Sequence, residues 1–268
     1  MRKTLGDLLR EMANQPAERR TPWRALRGNL WLDHAVWLSG LEWAQFERIC
    51  IQRNRSASKL GAKWRAGTTL PTRSSALAME RVLPGTAWVF DLPLFQLLSD
   101  APLPRSRLVA LTSKFREPGA LVDMDWVLPH AAGVARYSDS KTLLHRGDLW
   151  GLFGLVGTMR WAELEGDDHQ HLESSQDAFR VLPAMLRTPW AVASVPKLYE
   201  LLERLRRRVP YTRDAYRVNW ERIEALASRH HFSADPGGRP RDPYGYAEPY
   251  PDPIVVMKRV PERRVREW

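Results

Sequence analysis

Residues 29–52 read NLWLDHAVWLSGLEWAQFERICIQ, and the period of their apolar positions decides the fold class. Trp31, His34, Leu38 and Leu41 recur at steps of three and four. Trp37, Ala44 and Ile49 widen the same stripe, and no proline interrupts it. Only a 3.6-residue period returns these side chains to one face, so the stripe predicts one amphipathic helix over 29–52.

The same reading extends both ways. Thr4 precedes a short stripe of Leu5, Leu8, Leu9 and Met12 that Pro16 ends. A helix over 56–66 stops at Gly67, the residue type that follows helix ends. Pro71-Thr72 opens another over 73–83, closed by Pro84-Gly85. The β-branched and aromatic TAWVF, residues 86–90, suits a short strand or a loop. Further helices are expected over 149–164, 176–186, 196–208 and 212–229. Gly151, Gly154 and Gly157 recur every three residues in the first of these and would let a neighbouring helix approach closely. No strand precedes them, so a dinucleotide-binding loop is not expected. Residues 234–253 hold six prolines, three glycines and three tyrosines, the composition of an extended arm. The closing IVVMKRV suits a small docked strand or a basic tail.

The expected fold is thus mainly α. Pro102 and Pro104 form a hinge, giving a basic helical domain (1–103), a Trp-rich helical domain of unassigned role (104–233), and a Pro/Gly/Tyr-rich arm with a basic tail (234–268). The twelve tryptophans are spread along the chain, as large helix–helix contacts would require rather than one stacking platform.

A chain of 268 residues can form one large or two ordinary domains, and 44% hydrophobic residues suffice for a packed core. The single cysteine, Cys50, excludes a disulfide framework and a Cys-based zinc site; it falls on an apolar stripe as a buried structural thiol. The N-terminus shows no apolar signal segment, so a cytoplasmic location is expected. The longest apolar run, residues 149–159, is short of the roughly 20 residues a spanning helix needs. The net charge is +10, distributed as +8 over residues 1–81, −2 over 82–199 and +4 over 200–268. Residues 48–79 contain no Asp or Glu, yet hold Arg48, Arg53, Arg55, Lys59, Lys63, Arg65 and Arg73. Unpaired cations are what phosphate neutralisation with counterion release needs, whereas acids arriving from elsewhere in the fold would make the window an ordinary solvated face.

Within that window, residues 54–72 read NRSASKLGAKWRAGTTLPT. Leu60 and Trp64 form an inward stripe, while Arg55, Lys59 and Lys63 stack at i, i+4, i+8 on the neighbouring flank. Ser58, Ala62 and Arg65 fill the rest of the outward arc. Small and basic side chains outward let a helix enter the major groove. The run W-x-x-G-x-x-x-P-T, carried by Trp64, Gly67, Pro71 and Thr72, resembles the recognition-helix end of Cro/C1-type helix-turn-helix repressors, a likeness covering about residues 42–84. The resemblance implies a Ser-initiated recognition helix beginning at Ser56 or Ser58, a turn at Arg53-Asn54-Arg55, and an upstream helix over 42–52. The chain departs from that pattern by one extra residue between Leu60 and Trp64, by Arg65 in place of an acid, and by EWAQFERIC upstream. It implies duplex DNA as the partner, with Arg53, Arg55, Lys59, Lys63 and Arg73 on phosphates. Ser58, Lys59, Ala62 and Lys63 would reach base edges, and Leu60 and Trp64 would seat the helix.

Catalytic patterns are sparse. EGDDHQH, residues 165–171, offers Asp167, Asp168, His169 and His171 as metal candidates for hydrolysis. The two histidines are two apart and would converge only on a strand or loop, and a polar inter-helix loop is the plainer expectation. His34, His130, His145 and the His230-His231 pair have no evident partners. No P-loop, G-x-S-x-G or H-E-x-x-H occurs, and no cofactor is expected. The leading expectation is a DNA-binding protein, a transcriptional regulator by the resemblance, whose Trp-rich half contacts a second copy or another partner. The alternatives are a basic RNA- or single-strand-binding subunit of a nucleoprotein assembly, using Arg204, Arg206, Arg207, Arg208 and the C-terminal tail, and a metal-dependent hydrolase.

Overall fold

In the computed structural model, the described residues are 22–51, 60–66, 68–112, 143–144, 146–229 and 252–257. Among them the chain is mainly α, with one two-stranded sheet. It divides into two compact units: Met1–Pro102 with Ala184–Leu201, and Leu103–Pro183 with Leu202–Trp268.

The first unit starts with helix α1, Pro22–Ser39, which begins on a proline whose missing N–H costs nothing at a helix start. Its inward face buries Leu26, Leu30, Trp31, His34 and Ala35. The single helix expected over 29–52 is in fact broken. Gly40 takes φ 64°, a left-handed conformation suited to glycine, and the Ser39 hydroxyl receives the Leu41 N–H. Helix α2, Trp43–Phe46, then runs into a π-helical turn, Glu47–Ile51. Helix α3, Leu60–Arg65, and helix α4, Arg73–Val82, follow. The Thr72 hydroxyl caps α4 by accepting the Ser75 N–H at 3.2 Å.

TAWVF is neither strand nor loop: Ala87–Asp91 form helix α5. The Glu80 carboxylate, at the end of α4, accepts the N–H groups of Gly85, Thr86 and Ala87 at 2.8, 2.8 and 2.6 Å. An anion at these otherwise unpaired donors stabilises the helix start against the β preference of the side chains. Burial alone would push that carboxyl up, but the backbone donors hold it below its ordinary value. Helix α6, Leu94–Leu97, completes the local core with Phe95 and Leu98.

The second unit contains α7 (Arg105–Thr112), α8 (Leu149–Glu165), α9 (Asp168–Arg187), α10 (Val195–Arg206), α11 (Pro210–Ala215) and α12 (Trp220–Arg229); the division into units passes through α9 and α10. Helix α8 is apolar on every side and buried throughout most of its length, as a central helix must be. It starts on an Asp148 cap that accepts the Gly151 N–H at 2.8 Å, and ends on Gly166 at φ 73°. Its glycines do admit a close neighbour, but a local one. A Cβ at Gly151 would collide with the Leu143 carbonyl, and one at Gly154 with the Leu143 side chain.

The helix expected over 212–229 is interrupted by strand β1, Tyr216–Val218, which pairs antiparallel with β2, Ile254–Val256. The register sets Tyr216 opposite Val256 and Val218 opposite Ile254. The closing segment is thus a docked strand at 254–256. Most of the expected Pro/Tyr arm lies outside the described residues, as do the expected N-terminal helix and His130, His145, His230 and His231.

Candidate nucleic-acid interface

Helix α3 is placed by what lies beneath it. Trp64 is only 6% exposed and meets the fully buried Trp31 of α1 edge-on, ring centroids 5.6 Å apart. Such T-shaped pairs add to the large area an indole buries. Gly61 faces the π turn so closely that a Cβ would sit 2.7 Å from the Glu47 carboxylate and 2.9 Å from Ile51 Cδ1. A larger residue would force the Glu47 and Ile51 side chains aside. The same Glu47 carboxylate accepts the Ala62 N–H at 3.0 Å, an anion near the start of a helix. At the other end the Lys63 carbonyl accepts from the Thr68 N–H and hydroxyl at 3.0 and 3.1 Å.

The remaining side of α3 faces solvent. Ala62, Lys63 and Arg65 are exposed, whereas Gly61 and Trp64 are buried and Leu60 is half-buried. Leu60 and Trp64 line a small pocket with Cys50, Ile51, Ser75, Ala78 and Met79, so the inward stripe lies against the π turn and α4. The Cys50 thiol is buried, and burial pushes its pKa up. The Arg65 guanidinium sits 4.9 Å over the Trp43 ring, a cation–π contact that steadies the charge while the side chain stays exposed. Lys63 makes no ion pair among the described residues.

Arg73 is placed differently from expectation. Its Nε and Nη2 donate to the two carboxylate oxygens of Asp91 at 2.9 and 3.3 Å, so an acid from α5 already neutralises it. Pro71 is buried and packs on Gly28 of α1, where a Cβ would lie 2.9 Å from the proline Cδ. Arg53, Arg55, Ser58, Lys59 and Gly67 lie outside the described residues.

The metal candidates do not converge. The expected polar loop is reduced to Gly166 and Asp167, because α9 already begins at Asp168. Asp167 caps it by accepting the Gln170 N–H at 2.9 Å. His169 is exposed and lies 5.5 Å from the Tyr211 ring, while His171 is buried with Nδ1 2.8 Å from the Thr212 hydroxyl. Burial, together with the nearby charges of Arg160 and Arg208, pushes His171 down to about 4. Among the described residues no three His, Cys, Asp or Glu side chains are grouped to hold a metal ion.

The cations at the end of α10 are also engaged. Arg206 is buried and donates from Nε and Nη2 to the Glu203 carboxylate at 2.8 and 2.9 Å, and from Nη1 to the Arg213 and Tyr216 carbonyls. Arg207 shares Glu203, and Arg208 pairs with Glu163. His34 is a core residue, ringed by Trp37, Trp88 and Trp190 at 6.0, 5.4 and 4.7 Å. Sequence reasoning missed Glu47, Trp43 and Asp33, whose partnership with α3 spans many residues and leaves no local pattern. Among the described residues no helix is long and apolar enough to cross a membrane. No family model matches the chain, and neither a curated protein nor a solved structure matches it.

Proposed function

We propose that this protein binds duplex DNA through a helix-turn-helix-like unit spanning α2 to α4, with α3 presented to the major groove. One observation carries this reading: α3 buries Gly61 and Trp64 on one side and turns Ala62, Lys63 and Arg65 outward on the other. A narrow, basic, acid-free ridge on a short helix seated by a tryptophan has the dimensions and charge that a groove of about 12 Å admits. Arg65, steadied on Trp43, and Lys63 are the side chains to contact phosphates or base edges. Ala62 allows close approach. A role in transcriptional control follows only from the resemblance of the α3 region to repressor units, since a fold by itself does not fix function.

The test is fluorescence anisotropy with random-sequence duplex DNA, single-stranded DNA and RNA across a salt series. The reading expects a duplex preference with log K falling steeply against log salt, about 0.9 per phosphate neutralised. Lys63→Ala with Arg65→Ala should shallow that slope by roughly 2 and leave the thermal unfolding midpoint in place. Equal or tighter binding of single strands would transfer the proposal to a single-strand or RNA-binding subunit. No binding at low salt would remove nucleic acid as the partner.

A further inference from the structure

Arg24 and Arg27, on the first two turns of α1, belong to no part of the interface read from the sequence. Both guanidinium groups lie against the Trp23 ring, 5.3 and 5.6 Å from its centroid, and Arg27 also covers Phe90 at 4.2 Å. Phe90 neighbours Asp91, whose two oxygens are both taken by Arg73. Asp91 is thus bonded to Arg73, and of the two α1 arginines it is Arg27 that feels its charge. Arg27 Nε is buried without a hydrogen-bond partner among the described residues. Burial, then the charge of Arg24, lowers the Arg27 pKa from its ordinary value, against the weaker pull of Asp91. Positive charge held in place by aromatic rings and, among the described residues, short of counter-charge is an arrangement that favours a bound anion.

The position of the cluster names the anion. Gly28, next to Arg27, carries Pro71, and Trp31, one turn further, carries Trp64 of α3. From Arg24 to Trp31 is seven residues, about 10 Å along the helix at 1.5 Å per residue. That is about three phosphates of one DNA strand at 3.4 Å each along the duplex axis. We propose that Arg24 and Arg27 form a second phosphodiester subsite, gripping the backbone of the same duplex whose groove receives α3. The inference rests on the DNA-binding reading and extends the interface from one helix to two. Asp91, whose charge Arg27 feels, is within it a competing anion when no DNA is bound.

The experiment compares salt slopes for duplex binding by the full chain and three variants. Arg24→Gln with Arg27→Gln should shallow the slope by about 1.8, two phosphates' worth, and weaken binding about tenfold at 50 mM salt. Arg27→Lys, which keeps the charge, should hold a slope close to the parent protein. Asp91→Asn should steepen the slope and tighten binding, a gain that misfolding cannot produce. An unchanged slope in the double variant, or weaker binding in Asp91→Asn, overturns the subsite. If those results appear while Lys63→Ala with Arg65→Ala still cripples binding, only the subsite is lost and the α3 reading stands. If the α1 variants weaken binding and the α3 variant does not, the subsite stands and the α3 reading is lost. A parent protein without affinity for duplex DNA overturns both.

Discussion

Asp33 offers a test of the physics beneath the interface, because it is a carboxylate kept half-buried beside the residues that would bind DNA. Burial pushes its pKa up from the ordinary 3.8 to about 6, while the charges of Arg65 and Lys197 pull the other way without cancelling the effect. An acid with a raised folded pKa holds its proton more tightly folded than unfolded. Between pH 3.8 and 6 the unfolded chain therefore carries fewer protons at this site, and stability falls as the pH rises. Above pH 6 the full penalty is in place. From 3.8 to about 6, at 1.36 kcal/mol per pH step of one, the ionised carboxylate costs the first unit about 3 kcal/mol. Asp33→Asn removes the charge with little change of shape. It should leave stability unchanged below about pH 4 and raise it by up to about 3 kcal/mol at pH 7.5. For a unit of this size that is about 10 °C or more in Tm. Urea unfolding of parent and variant, followed by tryptophan fluorescence at half-unit steps from pH 4 to 8, measures the difference directly. The variant should also bind duplex DNA at least as tightly, since a negative charge that Arg65 feels is gone. A stability difference that stays flat across that pH range would refute the assignment of the penalty to Asp33.

Three further expectations follow from the packing. Trp64→Ala should cost the first unit about 3–5 kcal/mol by calorimetry and abolish duplex binding with it, whereas Trp64→Phe should retain most of both. Glu203→Ala leaves the buried Arg206 guanidinium without its carboxylate and should destabilise the second unit by about 3–5 kcal/mol in thermal unfolding; replacing both partners by apolar residues of similar volume should recover most of the loss. His171 is held neutral in the folded state down to about pH 4, so its contribution is present above pH 6.5 and lost as the pH falls from 6.5 to 4. That amounts to about 3 kcal/mol, and His171→Gln should show no such acid loss in urea melts at pH 7 and 4.5.

The helical character of the chain was legible because its stripes are local: the apolar faces of 29–39, 73–82 and 195–206 follow from residues three and four apart. The errors have different causes, one of them local and the others a partner further along the chain. The break at Gly40 is signalled by glycine alone, and an unbroken apolar period on both sides outweighed it. TAWVF has strand composition but lies where Glu80, five to seven residues upstream, supplies an acceptor for three helix-start donors. Strand β1 exists because residues 254–256 return to pair with it, and nothing between 212 and 229 announces that return. The candidate site shows the same split. The outward arc of Ala62, Lys63 and Arg65 is a consequence of helical period and was readable. The pairing of Arg73 with Asp91, eighteen positions away, was not, nor was Glu47 reaching across fifteen positions to Ala62.

Charge placement is what supports docking the proposed DNA on the first unit. In the second unit several of the described arginines are spent on structure. Arg160 is 1% exposed beside Glu163, Arg206 is 5% exposed on Glu203, and Arg180 is divided between Asp177 and Asp252. Removing such cations from water requires carboxylates and carbonyls at hydrogen-bonding distance, and those partners leave little charge for a ligand. In the first unit the cations are steadied by rings: Arg65 by Trp43, Arg24 and Arg27 by Trp23 and Phe90. An aromatic face fixes a guanidinium in direction without neutralising it. Arginines held on rings without a carboxylate leave a field that a phosphate backbone would feel, whereas those paired as Arg206 and Arg180 are, or as Arg73 is with Asp91, leave less.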